Sequence, residues 1–246
     1  MSCLFKLCRI IFLIYCFFGF SIILWAQETS YSQRDTNGTP LDGKLIEVMN
    51  YTNCGVFIEV GAYDGVNQSN TKLLEQYYGW TGILVEPSQV LFENLCANRC
   101  NSKCFQCALG SFEENNTYVW GDFNGHLMSS VDGHRLKRVR RRSESAPQRV
   151  LMRSLQSILD ELGIRYVNFF SLDTEGYEFN ILKGIDFDKT TFDYLLIEIY
   201  NYEYVAIVSF LADKGYMMIQ NFSNYNMNND ENWDGTHNDY LFKRMF

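Results

Sequence analysis

The stretch VFIEVGAYDGVNQSNTKLLEQYYGWTGILVEP, residues 56–87, decides the fold. It opens with VFIEVG at 56–61, a β-branched apolar run that stops at a glycine, which is the pattern of a buried strand entering a turn. NTKLLEQYY at 70–78 then carries helical spacing, and GILVEP at 82–87 is a second apolar run closed by an acid and a proline. Strand, helix and strand within about 30 residues make one βαβ unit, whose crossover helix lets the two strands run parallel.

Downstream the alternation continues. Helix-like VLFENLCANRC (90–100) precedes strand-like CFQCALG (104–110), and helix-like LQSILDELG (155–163) precedes the apolar strand YVNFFSLD (166–173). FDYLLIEIY (192–200), helix-like YVAIVSFLADKG (204–215), YMMIQNF (216–222) and a last strand DYLFKR (239–244) complete the series. The predicted class is α/β: a mostly parallel sheet with helices on both faces. Such a sheet takes ligands in the crevice outside the carboxyl ends of its strands. With 246 residues, 47% of them apolar, the chain supports one core. A net charge of −8 argues against a nucleic-acid partner, which calls for a basic surface.

Upstream, IIFLIYCFFGFSIILWA at 10–26 is an uninterrupted apolar run preceded by Lys6 and Arg9. It reads as a targeting segment: a type II single-pass signal anchor of the endoplasmic reticulum or Golgi, or a signal peptide if residues 1–26 are cleaved and the rest secreted. Residues 27–53 read as a polar stalk ending in an amphipathic piece, and 54–246 as the domain. Triplets for N-glycosylation at Asn37, Asn50, Asn67, Asn115 and Asn221 agree with secretory passage. Four cysteines fall within CANRCNSKCFQC (96–107), and Cys54 stands apart. Zinc usually draws on two well-separated ligand pairs, so no metal is expected and local disulfides suit an oxidising compartment better.

The alternation breaks at 113–148, a loop insertion with one possible short strand, TYVWG, and a basic run at 135–142. That run suits a clamp for an acidic glycan, a convertase cleavage site or a solvated loop.

Three motifs carry candidate chemistry. Gly61 and Gly65 in EVGAYDG (59–65), with Ala62, Tyr63 and Asp64 between them, allow a tight turn and close approach of backbone N–H groups to a ligand. Glu86, followed by Pro87, ends the second strand, where a carboxylate accepts hydrogen bonds from ribose hydroxyls. In SLDTEGYEFNILKG (171–184), Asp173 and Glu175 close the next parallel strand and face the same crevice, with Glu178 on the helix behind. They suit orienting a methyl donor or general-base work, with helix capping as the alternative reading. His126, His134 and His237 read as surface histidines, since the sequence supplies no partner for them.

Taken in order, VFIEVGAYDGVNQSNTKLLE, GWTGILVEP, CFQCALG, LQSILDELG, FFSLDTEGYEFNILKG, LLIEIY and NDYLF resemble the FkbM-type methyltransferases over residues 54–246, particularly animal members. The resemblance implies a seven-stranded Rossmann-like sheet with an antiparallel final strand. It also implies S-adenosyl-L-methionine as methyl donor and oxygen of a glycan or other hydroxylated acceptor as the target. By that likeness Glu59, Gly61, Asp64, Gly65, Ser69 and Asn70 line the methionine side together with Ala62 and Tyr63, and Glu86 with Pro87 holds the ribose. Ala108 and Leu109 flank the adenine, and Asp173 and Glu175 face the reacting methyl. The same domain resembles the lumenal region of the insect Star protein, which implies a rival role as a trafficking adaptor for a protein cargo.

Overall fold

The computed structural model describes residues 30–121, 123, 147–228 and 233–245. The apolar segment 10–26, the basic run 135–142, His126 and His134 lie outside the described residues. Among the described residues no helix is long and apolar enough to cross a membrane.

The main sheet has seven strands. β1 (Val56–Val60), β2 (Thr81–Val85), β3 (Lys103–Phe105), β7 (Tyr166–Leu172), β8 (Thr191–Tyr200), β9 (Tyr216–Asn221) and β10 (His237–Arg244) stand in the order β3-β2-β1-β7-β8-β10-β9. The pairs β3/β2, β2/β1, β1/β7 and β7/β8 are parallel, whereas β10 runs antiparallel to both neighbours. The chain therefore winds outward from β1 in one direction and resumes at β7 on the other side of it. The crevice above the β1/β7 boundary is the topological switch point where such sheets bind ligands.

Side-chain alternation assigns the two faces. Ile58 and Val60 belong to the cluster containing Leu155, Ile158 and Leu159 of α4 (Leu155–Leu162), Ile181 and Leu182 of α5 (Glu178–Leu182), and Ile207 and Leu211 of α6 (Tyr204–Asp213). Phe57 and Phe169 point the other way. They join Leu41 and Leu45 of α1 (Leu41–Val48), Leu73 and Leu74 of α2 (Lys72–Tyr78), and Leu95 of α3 (Gln89–Asn98). Both faces are thus covered, as strands buried on two sides require.

Two expectations need correction. Residues 30–53 are not a solvated stalk: α1 buries Leu41, Leu45 and Ile46 against the sheet, and buried Asp42 accepts hydrogen bonds from Ser30 Oγ and Tyr31 N. Polar composition concealed this, because one narrow apolar stripe suffices to dock a short helix. The insertion carries the expected short strand TYVWG, and the correction lies at its far end, where Gln148–Ser154 is also a strand. β4 (Ala108–Gly110), β5 (Thr117–Gly121) and β6 (Gln148–Ser154) form a second sheet in the order β4-β6-β5. What reads as a single strand at 104–110 is split between β3 and β4, in different sheets.

The described cysteines, Cys54, Cys96, Cys100, Cys104 and Cys107, are free thiols, so the expected local disulfides are not formed. Burial pushes the Cys107 thiol up to about 12, and burial together with the neighbouring Cys96 does the same for Cys104, which leaves both as weak nucleophiles.

Leu45 is fully buried. Leu45→Ala is expected to destabilise the protein by about 2–5 kcal/mol in denaturant unfolding if α1 belongs to the domain. A change below about 0.5 kcal/mol, typical of surface positions, would return residues 30–53 to a stalk.

Candidate active site at the switch point

An open cleft lies over the carboxyl ends of β1, β2 and β7, with about 1170 Å³ of empty space counting the part continuous with solvent. The turn after β1 forms its floor. Gly61 has φ +80°, and both Gly61 N and Ala62 N donate to Val85 O at 3.1 Å. A Cβ at Gly61 would lie 1.8 Å from the carbonyl oxygen of Asp173, so only glycine lets β1 and the end of β7 approach this closely. Tyr63 also adopts the left-handed conformation, φ +50°, and its N–H donates to Glu86 Oε2 at 3.0 Å.

Glu86 follows β2 and is buried, and its other oxygen accepts from Ser88 N at 2.9 Å. Burial pushes its carboxyl up to about 7 against the pull of these two hydrogen bonds. Pro87, Ala108, Leu109, Leu91 and Phe123 border the same end of the cleft. An apolar slot beside a carboxylate suits an aromatic base joined to a vicinal diol.

The other end is acidic. Asp173 and Glu175 follow β7, and Glu198 projects from β8. Glu178 Oε1 accepts from Thr174 N at 2.7 Å, Thr174 Oγ1 at 2.9 Å and Gly176 N at 3.2 Å, which holds the loop 173–176 above the cleft. Tyr200 Oη donates to Glu175 Oε2 at 2.7 Å, and His237 Nε2 lies 3.4 Å from Glu198 Oε1. Burial first, then the charges of Glu175, Asp239 and Glu178, push Asp173 well above the ordinary carboxylate range, while a hydrogen bond with Glu198 pulls it down. Asp173 keeps some exposure to the cleft, which moderates the rise. Glu198 is raised for the same reasons, burial first and Asp173 next.

Glu59, Gly61, Ala62, Tyr63, Ser69, Glu86, Pro87, Ala108, Leu109, Asp173 and Glu175 all border the cleft. Asp64, Gly65 and Asn70 do not. Asp64 accepts from Val66 N and Asn67 N within its own turn. Gly65 makes room for Arg99, whose Cγ would lie 2.6 Å from a Cβ there, and Asn70 Nδ2 donates to Ser171 Oγ at 3.0 Å.

Glu59 borders the cleft, yet its carboxylate is engaged behind the turn. It accepts from Ser69 Oγ at 2.9 Å, Asn70 N at 2.7 Å and Thr71 Oγ1 at 2.6 Å, and lies 3.4 Å from Arg99 Nη1. Arg99 is fully buried, and its Nε donates to Glu75 Oε2 at 2.7 Å. This network fixes the glycine turn from beneath.

Sequence reasoning overlooked Arg99, hidden among cysteines, and Glu198. The available signal for Glu198 was a lone carboxylate inside the apolar run LLIEIY, since a buried charge needs a reason. His237 is not an isolated surface histidine: it starts β10 opposite Tyr200, with the two rings 5.3 Å apart.

The sheet order, the antiparallel β10 and the cleft at the switch point describe a Rossmann-like methyltransferase fold. A family model for the methyltransferase FkbM domain matches residues 59–218, and the chain belongs to the FkbM methyltransferase family. It is accordingly an S-adenosylmethionine-dependent methyltransferase, with S-adenosylmethionine as the expected cofactor.

Among solved structures, the chain is similar to a methyltransferase FkbM from Methylobacillus flagellatus KT, with 15% identity, TM-score 0.46, and coverage of 77% of this chain and 44% of that one. It is also similar to a human methyltransferase 10 domain containing protein, with 12% identity, TM-score 0.46, and coverage of 84% and 83%. A third is a TehB-like S-adenosylmethionine-dependent methyltransferase from Corynebacterium glutamicum, with 8% identity, TM-score 0.42, and coverage of 83% and 88%. No curated protein matches the chain.

The folded chain holds the Glu86 proton up to about pH 7, whereas the ordinary value is 4.5. Unfolded chains ionise first, so the contribution of neutral Glu86 to stability falls as pH rises through that window, by about 3 kcal/mol in all. In urea unfolding at a series of pH values, Glu86→Gln should gain on the parent between pH 4.5 and 7 and keep that gain unchanged above pH 7. A pH-independent difference would show that Glu86 ionises normally.

Proposed function

We propose that this protein transfers a methyl group from S-adenosylmethionine to a hydroxyl oxygen of a glycan or similar acceptor. The observation that carries the reading is the pairing of two dissimilar ends in one cleft. Glu86 stands beside an apolar slot at one end, and Asp173 and Glu175 stand at the other.

The cofactor supplies a methyl group made electrophilic by a sulfonium. Its adenosine fits the Glu86 end: each oxygen of that carboxylate uses one lone pair on a backbone N–H, leaving capacity for the ribose hydroxyls. The Ala108, Leu109 and Leu91 side chains would take the base. Gly61 and Ala62, with no bulk above the β1 turn, leave room for the chain leading to sulfur.

At the acidic end, Asp173 would receive the acceptor's hydroxyl proton as its oxygen bonds to the methyl carbon and that carbon leaves sulfur. The negative surroundings of Asp173 and Glu175 favour the cationic donor over its neutral product, which aids binding and release. A hydroxyl-rich acceptor is supported by Tyr177 and His237 at the cleft and by Tyr202, 56% exposed, whose ring lies 5.7 Å from Tyr200. Carboxylates and aromatic faces together are the usual means of holding sugars. A place on the lumenal side of a membrane, held by residues 10–26, is supported by the apolar run and its basic flank.

Isothermal titration of S-adenosylhomocysteine into the purified full chain tests the donor site. Micromolar binding that weakens at least tenfold in Glu86→Ala is expected, since the hydrogen bonds to both ribose hydroxyls are lost. Asp173→Asn should bind as the parent does and lose about 10²–10⁴-fold in turnover. No binding to a folded parent would favour a noncatalytic adaptor that holds a protein cargo.

A further inference from the structure

The fold buries two groups of carboxylates and neutralises only one of them. Behind the glycine turn, Glu59 and Glu75 share Arg99, whose Nε, Nη1 and Nη2 are all engaged by Glu75, Glu59, Gly65 O, Ser69 and Thr71. At the acidic end of the cleft, Asp173, Glu178 and Glu198 each place a carboxylate oxygen within 4.8 Å of the other two. None of these three pairs with a lysine or arginine among the described residues, and the basic group in reach is His237, 3.4 Å from Glu198.

Glu178 is fully buried and Glu198 is 5% exposed, yet Oε2 of each has no hydrogen-bond partner. Glu178 Oε1 already serves three donors, so its remaining oxygen is the one left for something else. Buried oxygens of this kind ordinarily find a donor or a metal. The three residues come from separate elements, the end of β7, the start of α5 and the carboxyl end of β8, and the strand pairing of β7 with β8 brings them together. Their convergence is a product of the tertiary fold, and no capping requirement calls for Glu198 there.

We infer that Asp173, Glu178 and Glu198 form a binding site for one divalent cation at the acidic end of the cleft. An all-carboxylate set selects a hard ion such as Ca²⁺, Mn²⁺ or Mg²⁺. Oxygens within 4.8 Å of one another admit each of these ions, and Ca²⁺, which accepts irregular geometry where Mg²⁺ demands a near-ideal octahedron, is the first to test. One oxygen of Asp173 suffices for the ion, leaving the other for the acceptor's proton. A hydroxyl resting on the ion would be polarised toward attack, and this use, unlike the binding, rests on the methyl-transfer reading. The rival arrangement is a proton shared between Asp173 and Glu198 with no ion at all.

The test is titration of Ca²⁺, and separately of Mn²⁺ followed by its paramagnetic resonance signal, into the full chain stripped with chelator. No methyl donor or analogue is present, so failure here is distinguishable from failure of donor binding. One site per chain saturating below about 1 mM is expected, weakened at least tenfold in Glu198→Gln and in Asp173→Asn. Glu47→Gln, on the exposed side of α1, should bind as the parent does. Near-ultraviolet circular dichroism confirms folding, and if one variant fails to fold the other decides. No saturable binding to the folded parent, or binding unaffected in the folded variants, would overturn the site in favour of the shared proton.

Discussion

At Gly61 the backbone of β1 runs so close to the end of β7 that the hydrogen on its α-carbon occupies the only space available. An added Cβ would meet the carbonyl oxygen of Asp173 at 1.8 Å. The contact is sealed by Asp173 N donating to Val60 O at 3.2 Å, so the two strand ends are bound to each other as they enter their turns. Everything at the cleft follows from this junction. It sets Asp173 beside the glycine turn and lets Tyr63 N meet Glu86. It also brings β7 and β8 into the register that places Asp173 near Glu198.

The junction needs support, because a turn holding Gly61, Tyr63 and Gly65 at positive φ would not keep its shape unaided. Arg99 supplies it. The guanidinium lies 5.3 Å from the Phe57 ring and gathers Glu59, Glu75, Ser69, Thr71 and the Gly65 carbonyl around itself. Removing one member of such a buried set leaves the others unpaired, so the network is all or nothing. Glu59 therefore shapes the donor pocket without offering its carboxylate to it, a role different from the one its motif suggests.

Much of this was legible in the sequence because local signals and the global fold agree. VFIEVG, GILVEP, YVNFFSLD and FDYLLIEIY all became parallel strands of the main sheet, and Glu86 and Asp173 follow strand ends as their motifs suggest. What was not legible depends on long-range pairing. Gln148–Ser154 is a strand only because it pairs with β4 and β5, and the flanking arginines Arg149 and Arg153 mask its alternation. His237 gains its meaning from facing Tyr200 across an antiparallel register that no local pattern specifies. Arg99 sits among cysteines that drew attention to disulfides, and α1 shows only a thin apolar stripe in a polar stretch.

The central claim is that the junction of β1 with β7 builds one cleft for a methyl donor, with adenosine toward Glu86 and sulfur toward Asp173. A crystal structure of the full chain soaked with S-adenosylhomocysteine measures this directly. The account predicts ribose hydroxyls within hydrogen-bonding distance of Glu86, the base between Leu91 and Leu109, and the sulfur above Gly61 on the Asp173 side. Ligand bound elsewhere, or in the cleft with its base at the acidic end, would contradict it.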